Sequence, residues 1–325
     1  MKKTFVTVAK ILIGLSLMAG SVAAWAGDFP DKPIKVIMPF PPGGTTDQVA
    51  RVVSAKMKET LGQPLIVENK AGAGTVIGSQ FVANSAADGY TLLWTATPLA
   101  INASLVDKLP YDTLNDLTMV GSVAAVPLVL IVPPSSPFKT VHELVKGAGA
   151  MPNTLNYGSS GVGGSAHLAA AMFFHDAGIK LNHVPYKGSA PSVMDLVGGH
   201  LDAVFDTMFL TRPYVESGKA RALAQTGKTR SPLMPDVPTL AESGYPDMVV
   251  ESWHIVAVPA ATPKDVVQKL NAALVAALDS QQVKDALESQ GLELRGNTPE
   301  EANRYFRDEV GRWGKAVAAS GARVE

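Results

Sequence analysis

"MVGSVAAVPLVLIV", residues 119–132, is the stretch on which the fold turns. These fourteen residues carry no charge and end at Pro133-Pro134. An ordinary strand has about five or six residues. The excess length predicts a strand that leaves one domain and enters another. A second long extended stretch, Met248 to Val258, has the character of the return crossing.

Strands and helices alternate on both sides of the first crossing. Upstream, Ile34–Met38, Leu65–Val67 and Thr91–Trp94 read as strands, and Thr46–Leu61 and Thr75–Asn84 as helices. Val49, Val52, Val53, Met57 and Leu61 give the first helix its apolar face, and Gly62 stops it. Such alternation is the pattern of a parallel sheet flanked by helices. Downstream, helices are expected at Val141–Ala148, Ser165–Ala177, Pro191–Val197 and Phe209–Ser217. Extended segments are expected at Thr154–Tyr157, His183–Tyr186, Asp202–Phe205 and Arg221–Gln225. The C-terminal quarter reads as helical, with an amphipathic helix from Pro263 to Leu278 and another opened by Thr298-Pro299-Glu300-Glu301 and running to about Ala319. The expectation is an α/β protein of two lobes joined by two crossing strands, with a ligand cleft between lobes that can hinge. Residues 27–129 and 250–325 would form the first lobe, and 130–249 the second.

The first 26 residues read as a secretory signal peptide. Lys2 and Lys3 precede an interrupted apolar stretch, and Ala24-Trp25-Ala26 matches a cleavage site. This points to export into the periplasm. Removing three lysines with that segment leaves 25 basic against 29 acidic residues, a net charge of −4. The charges are interspersed, so neither nucleic acid nor an anionic membrane is an indicated partner. Cysteine is absent, which rules out disulfides, thiolate metal sites, a cysteine nucleophile and a lipid-anchored cysteine. No cofactor is implied.

Two glycine-rich turns each follow a strand and open a helix. One is "MPFPPGGTTDQVAR", residues 38–51, and the other "YGSSGVGGSAH", residues 157–167. Glycine lets a ligand approach the backbone closely. A helix start offers unpaired N–H groups and a partial positive charge. Together they make an anion site with no basic side chain.

Enzymatic readings fare poorly on the residues. Neither turn has the Gly-Lys-Ser/Thr of a phosphate-binding loop. In Gly72-Ala73-Gly74-Thr75-Val76-Ile77-Gly78, Ile77 stands where a dinucleotide fold needs its third glycine, so this reads as a packing turn or a cleft wall. The six histidines show no paired metal spacing. A serine-dependent hydrolase acting at Ser159 or Ser160 stays open as the alternative, but a nucleophile elbow needs Gly at 162, where Val stands. His167 is the nearby base candidate, and it reads more naturally as a brace for the loop. Asp47 and Arg51 form an i, i+4 pair worth ~0.3–0.5 kcal/mol on a helix surface. Asp206 ends a strand, where it can accept a bond from a ligand hydroxyl, amine or protonated acid, or cap the next helix. Lys187 offers a cation. Trp94 and Trp253 line a pocket or pack a core.

The segments "FPDKPIKVIMPFPPGGTTDQVAR", "VENKAGAGTVIG", "ADGYTLLWTATPLAIN", "YGSSGVGGSAHLAA", "VPYKGSAPSVMDLVGGHLDAVFD" and "MPDVPTLAESGYPDM" occur in this order across nearly the whole chain. Together they resemble the periplasmic solute-binding proteins of tripartite tricarboxylate transporters, the Bordetella uptake gene group. The resemblance implies a periplasmic-binding-protein-like (Venus flytrap) fold and no enzymatic activity. It also implies a small organic acid ligand, di- or tricarboxylate or aromatic, and delivery to a membrane permease of a large and a small subunit. The implied receptor is a monomer. A sensor subunit serving a signalling receptor would share the fold. The implied ligand-binding residues are Phe40, Pro41, Gly43, Gly44, Thr45, Thr46, Thr97, Ser159, Ser160, Gly163, Gly164, Ser165 and Asp206. Many relatives carry Ser or Thr where this chain has Gly164, so the hydroxyl passes to Ser165 or is lost. Ala71 and Thr75 replace a proline and a glycine common in the family's second turn.

Overall fold

A computed structural model of the chain describes residues 29–320, and the expected signal peptide at 1–26 lies outside them. Residues from Lys32 onward make one unit. Strand β1 (Ile34–Met38) leads through the first glycine turn into helix α1 (Thr45–Leu61). Strand β2 (Leu65–Asn69), helix α2 (Val76–Ala83), strand β3 (Thr91–Ala96) and helix α3 (Pro98–Leu105) follow. β1 lies between β2 and β3 and parallel to both. Helix α1 buries Val49, Val53, Met57 and Leu61, and Gly62 ends it in the left-handed conformation at φ 69°. Helix α3 has no counterpart in the sequence pattern. Six of its eight residues are buried, so it shows no polar face from which a period could be read.

The run at 119–132 forms strand β4 (Leu117–Val132), sixteen residues long. Beyond it come α4 (Val141–Ala150), β5 (Asn156–Ser159), α5 (Ser165–Asp176), β6 (Asn182–Pro185) and α6 (Ser189–Val197). Then β7 (Ala203–Thr207), α7 (Met208–Glu216) and β8 (Arg221–Gln225) complete the second lobe's elements. The chain returns through β9 (Glu251–Pro259) and ends in α8 (Lys264–Asp279), α9 (Gln281–Leu287), β10 (Glu293–Leu294) and α10 (Pro299–Ser320).

The strand order is β2-β1-β3-β9-β4-β7-β5-β6, with β8 and β10 also paired to β4. β4 therefore serves two sheets. Leu117 to Pro127 pairs with β9, and Leu128 to Val132 pairs with β7 and β8. Pro127, which has no N–H to give a ladder, sits where the partners change. β5 lies parallel to both β6 and β7. This is the α/β, two-lobed architecture with crossing strands.

Thr226 ties the two crossings together. Its N–H donates to the Leu128 carbonyl at 2.9 Å, and its Oγ1 accepts the Leu128 N–H at 2.8 Å. Its carbonyl accepts the Val250 N–H at 3.0 Å, and its hydroxyl donates to the Val250 carbonyl. The expected return strand from Met248 thus begins later, at Glu251, because Val250 bonds to Thr226 rather than to a ladder. Helix α10 holds the return strand from behind. Buried Glu309 accepts the indole N–H of Trp253 at 2.6 Å and that of Trp313 at 2.9 Å.

Candidate functional site

A cavity of about 630 Å³ opens where the two lobes face each other. The first lobe supplies residues 39–42 and 44–47 from the β1–α1 turn, residues 71–75, and Ser252 and His254 on β9. The second lobe supplies residues 160–166, residues 186–191, Asp206 and Thr207. Among the helices that begin at this wall are four: α1 behind Gly44, α5 behind Gly164, α6 behind Gly188 and α7 behind Thr207. None of these four caps has a side-chain hydrogen bond. Pro191 removes one donor from α6, the other first-turn N–H groups carry no side-chain cap, and the helix dipoles favour a negative guest. Lys187 is the only lysine or arginine among the cavity-lining residues, and it is exposed.

Ten of the thirteen candidate residues line the cavity: Phe40, Pro41, Gly44, Thr45, Thr46, Ser160, Gly163, Gly164, Ser165 and Asp206. Gly43, Thr97 and Ser159 stand behind it. Gly43, at φ +88°, turns the chain and donates its N–H to Asp47 Oδ2 at 3.1 Å. Thr97 is buried, with Oγ1 accepting the Trp253 N–H at 3.2 Å. Ser159 is fully buried, its Oγ 2.7 Å from His183 Nε2. Trp94 and Trp253 are buried outside the lining. The residue 71–75 turn is a cleft wall.

Asp47 is a brace rather than half of a surface pair. It is 4 % exposed and accepts from Arg51 Nε at 3.0 Å, Asn69 Nδ2 at 2.9 Å and the Gly43 N–H. Burial pushes its pKa up, but these bonds outweigh burial and hold the carboxyl below its usual range. The second turn is braced by a histidine stack. His167 Nδ1 accepts the Gly163 N–H at 3.2 Å, and its ring lies 4.0 Å from that of His183. Burial lowers both histidines to about 4, so they are neutral at pH 7.

Sequence reasoning missed His254, Ser252, Thr207 and residues 188–191 as cavity wall. Ser252 and His254 stand two apart on β9, which places both on one face of a strand that is apolar elsewhere beyond Glu251. That alternation was the available signal. His254 Nε2 meets Thr46 Oγ1 at 3.3 Å, and burial lowers its pKa to about 4. Asp206 Oδ1 accepts the Thr207 N–H at 2.7 Å. Burial raises the Asp206 pKa to about 6, against the pull of Ser189 and Thr207. Asp206 Oδ2 and His254 Nδ1 are buried without hydrogen-bond partners among the described residues.

The lobes touch around the cavity. Thr45 Oγ1 of α1 lies 2.8 Å from Thr207 Oγ1 at the end of β7. Arg212 of α7 donates to the Ser289 carbonyl at 2.8 Å. A Cβ on Gly163, which has φ +77°, would lie 2.4 Å from Leu105 Cδ2 across the cleft.

A family model described as "Tripartite tricarboxylate transporter family receptor" (TctC) matches residues 49–322. The chain belongs to this family. Protein BugT of Bordetella pertussis is 39 % identical over 318 residues, covering 97 % of this chain and 98 % of BugT. Among solved structures, the periplasmic binding protein BugD superposes with a TM-score of 0.86 at 33 % identity, covering 91 % of this chain and all of BugD. Rpa4515 of R. palustris, solved with adipate, superposes with a TM-score of 0.87 at 34 % identity over the same shares. Its family relatives make this TctC chain a transport receptor with the periplasmic-binding-protein fold.

Proposed function

We propose that this TctC-family receptor captures a small organic carboxylate between its lobes and delivers it to a membrane permease of a large and a small subunit. The observation that carries the reading is the meeting of four uncapped helix starts, drawn from both lobes, at one cavity. A carboxylate offers about four acceptor positions, and charge-assisted bonds contribute ~1.5–3 kcal/mol each. The adipate held by Rpa4515 is a guest of this class. A cavity of about 630 Å³ is in the range for a small ligand. We further propose that the lobes are residues 27–129 with 250–325 and residues 130–249. The receptor works as a monomer in the periplasm after cleavage behind Ala26.

The receptor carries no hydrolase activity in this reading. Ser159 has a histidine at hydrogen-bond distance but is fully buried away from the cavity. Ser160 faces the cavity but has no histidine bonded to it among the described residues. Nucleophilic catalysis needs both properties in one serine.

A thermal-shift screen over dicarboxylates, tricarboxylates and aromatic acids tests the binding, since a ligand of the native state raises melting. Mass spectrometry of the acid released by denaturation identifies a co-purified guest. Failure of every acid to raise melting, or ester turnover lost in Ser159→Ala or Ser160→Ala, would overturn the reading.

A further inference from the structure

An anion cavity with a carboxylate in its own wall poses a chemical problem. Asp206 is 2 % exposed and lines the same cavity as the starts of α5, α6 and α7. Its Oδ1 is taken by the Thr207 N–H and the Ser189 hydroxyl also pulls on the carboxyl, while Oδ2 is buried with no hydrogen bond of good geometry among the described residues. A buried oxygen left in this state is a standing penalty unless a guest completes it. Any guest atom seated against it must bring a proton or find one.

We propose that Asp206 Oδ2 is a proton-sharing subsite: a guest carboxylate seated in the second lobe draws one proton from bulk water and holds it between itself and Asp206. The inference rests on the carboxylate reading above. The balance is one carboxylate on the protein, one on the guest and one proton from solvent, giving a single acid–carboxylate hydrogen bond. No covalent bond changes. Two ionised carboxylates in contact inside a dry site repel strongly, so one of them protonates.

The surroundings leave Asp206 without a compensating cation. On β4 its partner is Val129. On α6, Asp195 is engaged with Tyr186 and His200. On α5, His167 is neutral and bonded to Gly163, and on β6 His183 is bonded to Ser159. On α7, Arg212 pairs with Glu216. From the first lobe, His254 is neutral and Asp47 is neutralised by Arg51. Lys187, at the cavity rim, is exposed and makes no bond to Asp206. Burial already brings Asp206 to about 6, so the approach of a second negative charge need only complete the rise.

Isothermal titration calorimetry with adipate at pH 7.5, in two buffers of different ionisation enthalpy, counts the protons. Both adipate carboxyls are ionised at that pH, so any proton taken up belongs to the complex. The expected uptake is close to one proton per adipate, and the affinity falls about tenfold between pH 7 and 8. In Asp206→Asn the uptake and the pH slope both vanish. Adipate bound by the wild type with no uptake overturns the inference and leaves the carboxylate reading standing. So does equal uptake in Asp206→Asn. No melting shift with any carboxylate removes the reading and this inference with it.

Discussion

Asp206 is held where its charge is unwelcome, and its substitution has a calculable sign. Burial raises its folded pKa to about 6, above the ordinary aspartate value of 3.8. The stability linked to this group is therefore full below 3.8 and lost as pH rises through 6. Asp206→Asn is expected to stabilise the ligand-free protein at pH 7.5, by an order of ~2–3 kcal/mol at most. Melting curves at pH 7.5 and pH 4.5 check this, and the variant's advantage should shrink at the lower pH. Glu309 predicts the opposite. Glu309→Ala strips the partner from two buried indole N–H groups, with an expected loss of roughly 2–4 kcal/mol, and Glu309→Gln should lose less. Denaturant midpoints of the two variants separate lost hydrogen bonds from lost packing. Little of this was legible in the sequence. That Asp206 stands in a strand just ahead of a helix was readable, but its orphaned oxygen depends on what α6 and α7 leave uncovered.

Among the elements, the crossing strand was the most legible, because fourteen uncharged residues cannot be an ordinary strand. Helix α3 was not, because it is buried on nearly every side and shows no stripe. Strand β10 has two residues and exists only through its pairing with Ala124 and Ala125 of β4. The shift of the fifth strand from Thr154–Tyr157 to Asn156–Ser159 brings the second glycine turn directly against the sheet. Thr226 joins the two crossings with one residue, which no local pattern announces. Thr226→Val keeps the shape and deletes the hydroxyl, leaving the Leu128 N–H and the Val250 carbonyl short of a partner. A loss of about 1–3 kcal/mol is expected by denaturant unfolding, with hydrogen exchange rising first at Leu128 and Val250. Unchanged exchange there would show that the crossings are held by their ladders alone.

For the whole molecule, acid is the expected weakness. His167, His183 and His254 each titrate near 4 when folded against 6.5 in the unfolded reference. A depressed pKa gives stability that is full above 6.5 and lost as pH falls toward 4. Asp206 works against this between 6 and 3.8, but it is one group against three. The chemical-denaturation midpoint should fall between pH 7 and pH 4.5, and more steeply in Asp206→Asn. Both glycine turns of the cavity were visible in the sequence, because each follows a strand and opens a helix. The α6 and α7 starts were not, since they reach the cavity only through the pairing of β7 with β4 and β5.

At Gly163 one half of the molecule rests its bare backbone against Leu105 of the other, and an added methyl would stand 2.4 Å from Leu105 Cδ2. The contact falls on the tip of the Leu105 side chain, so this seam is set by one leucine methyl and a turn held at φ +77°. Gly163→Ala must therefore push that methyl aside and force alanine into a left-handed backbone, prying at the seam from both sides of one bond.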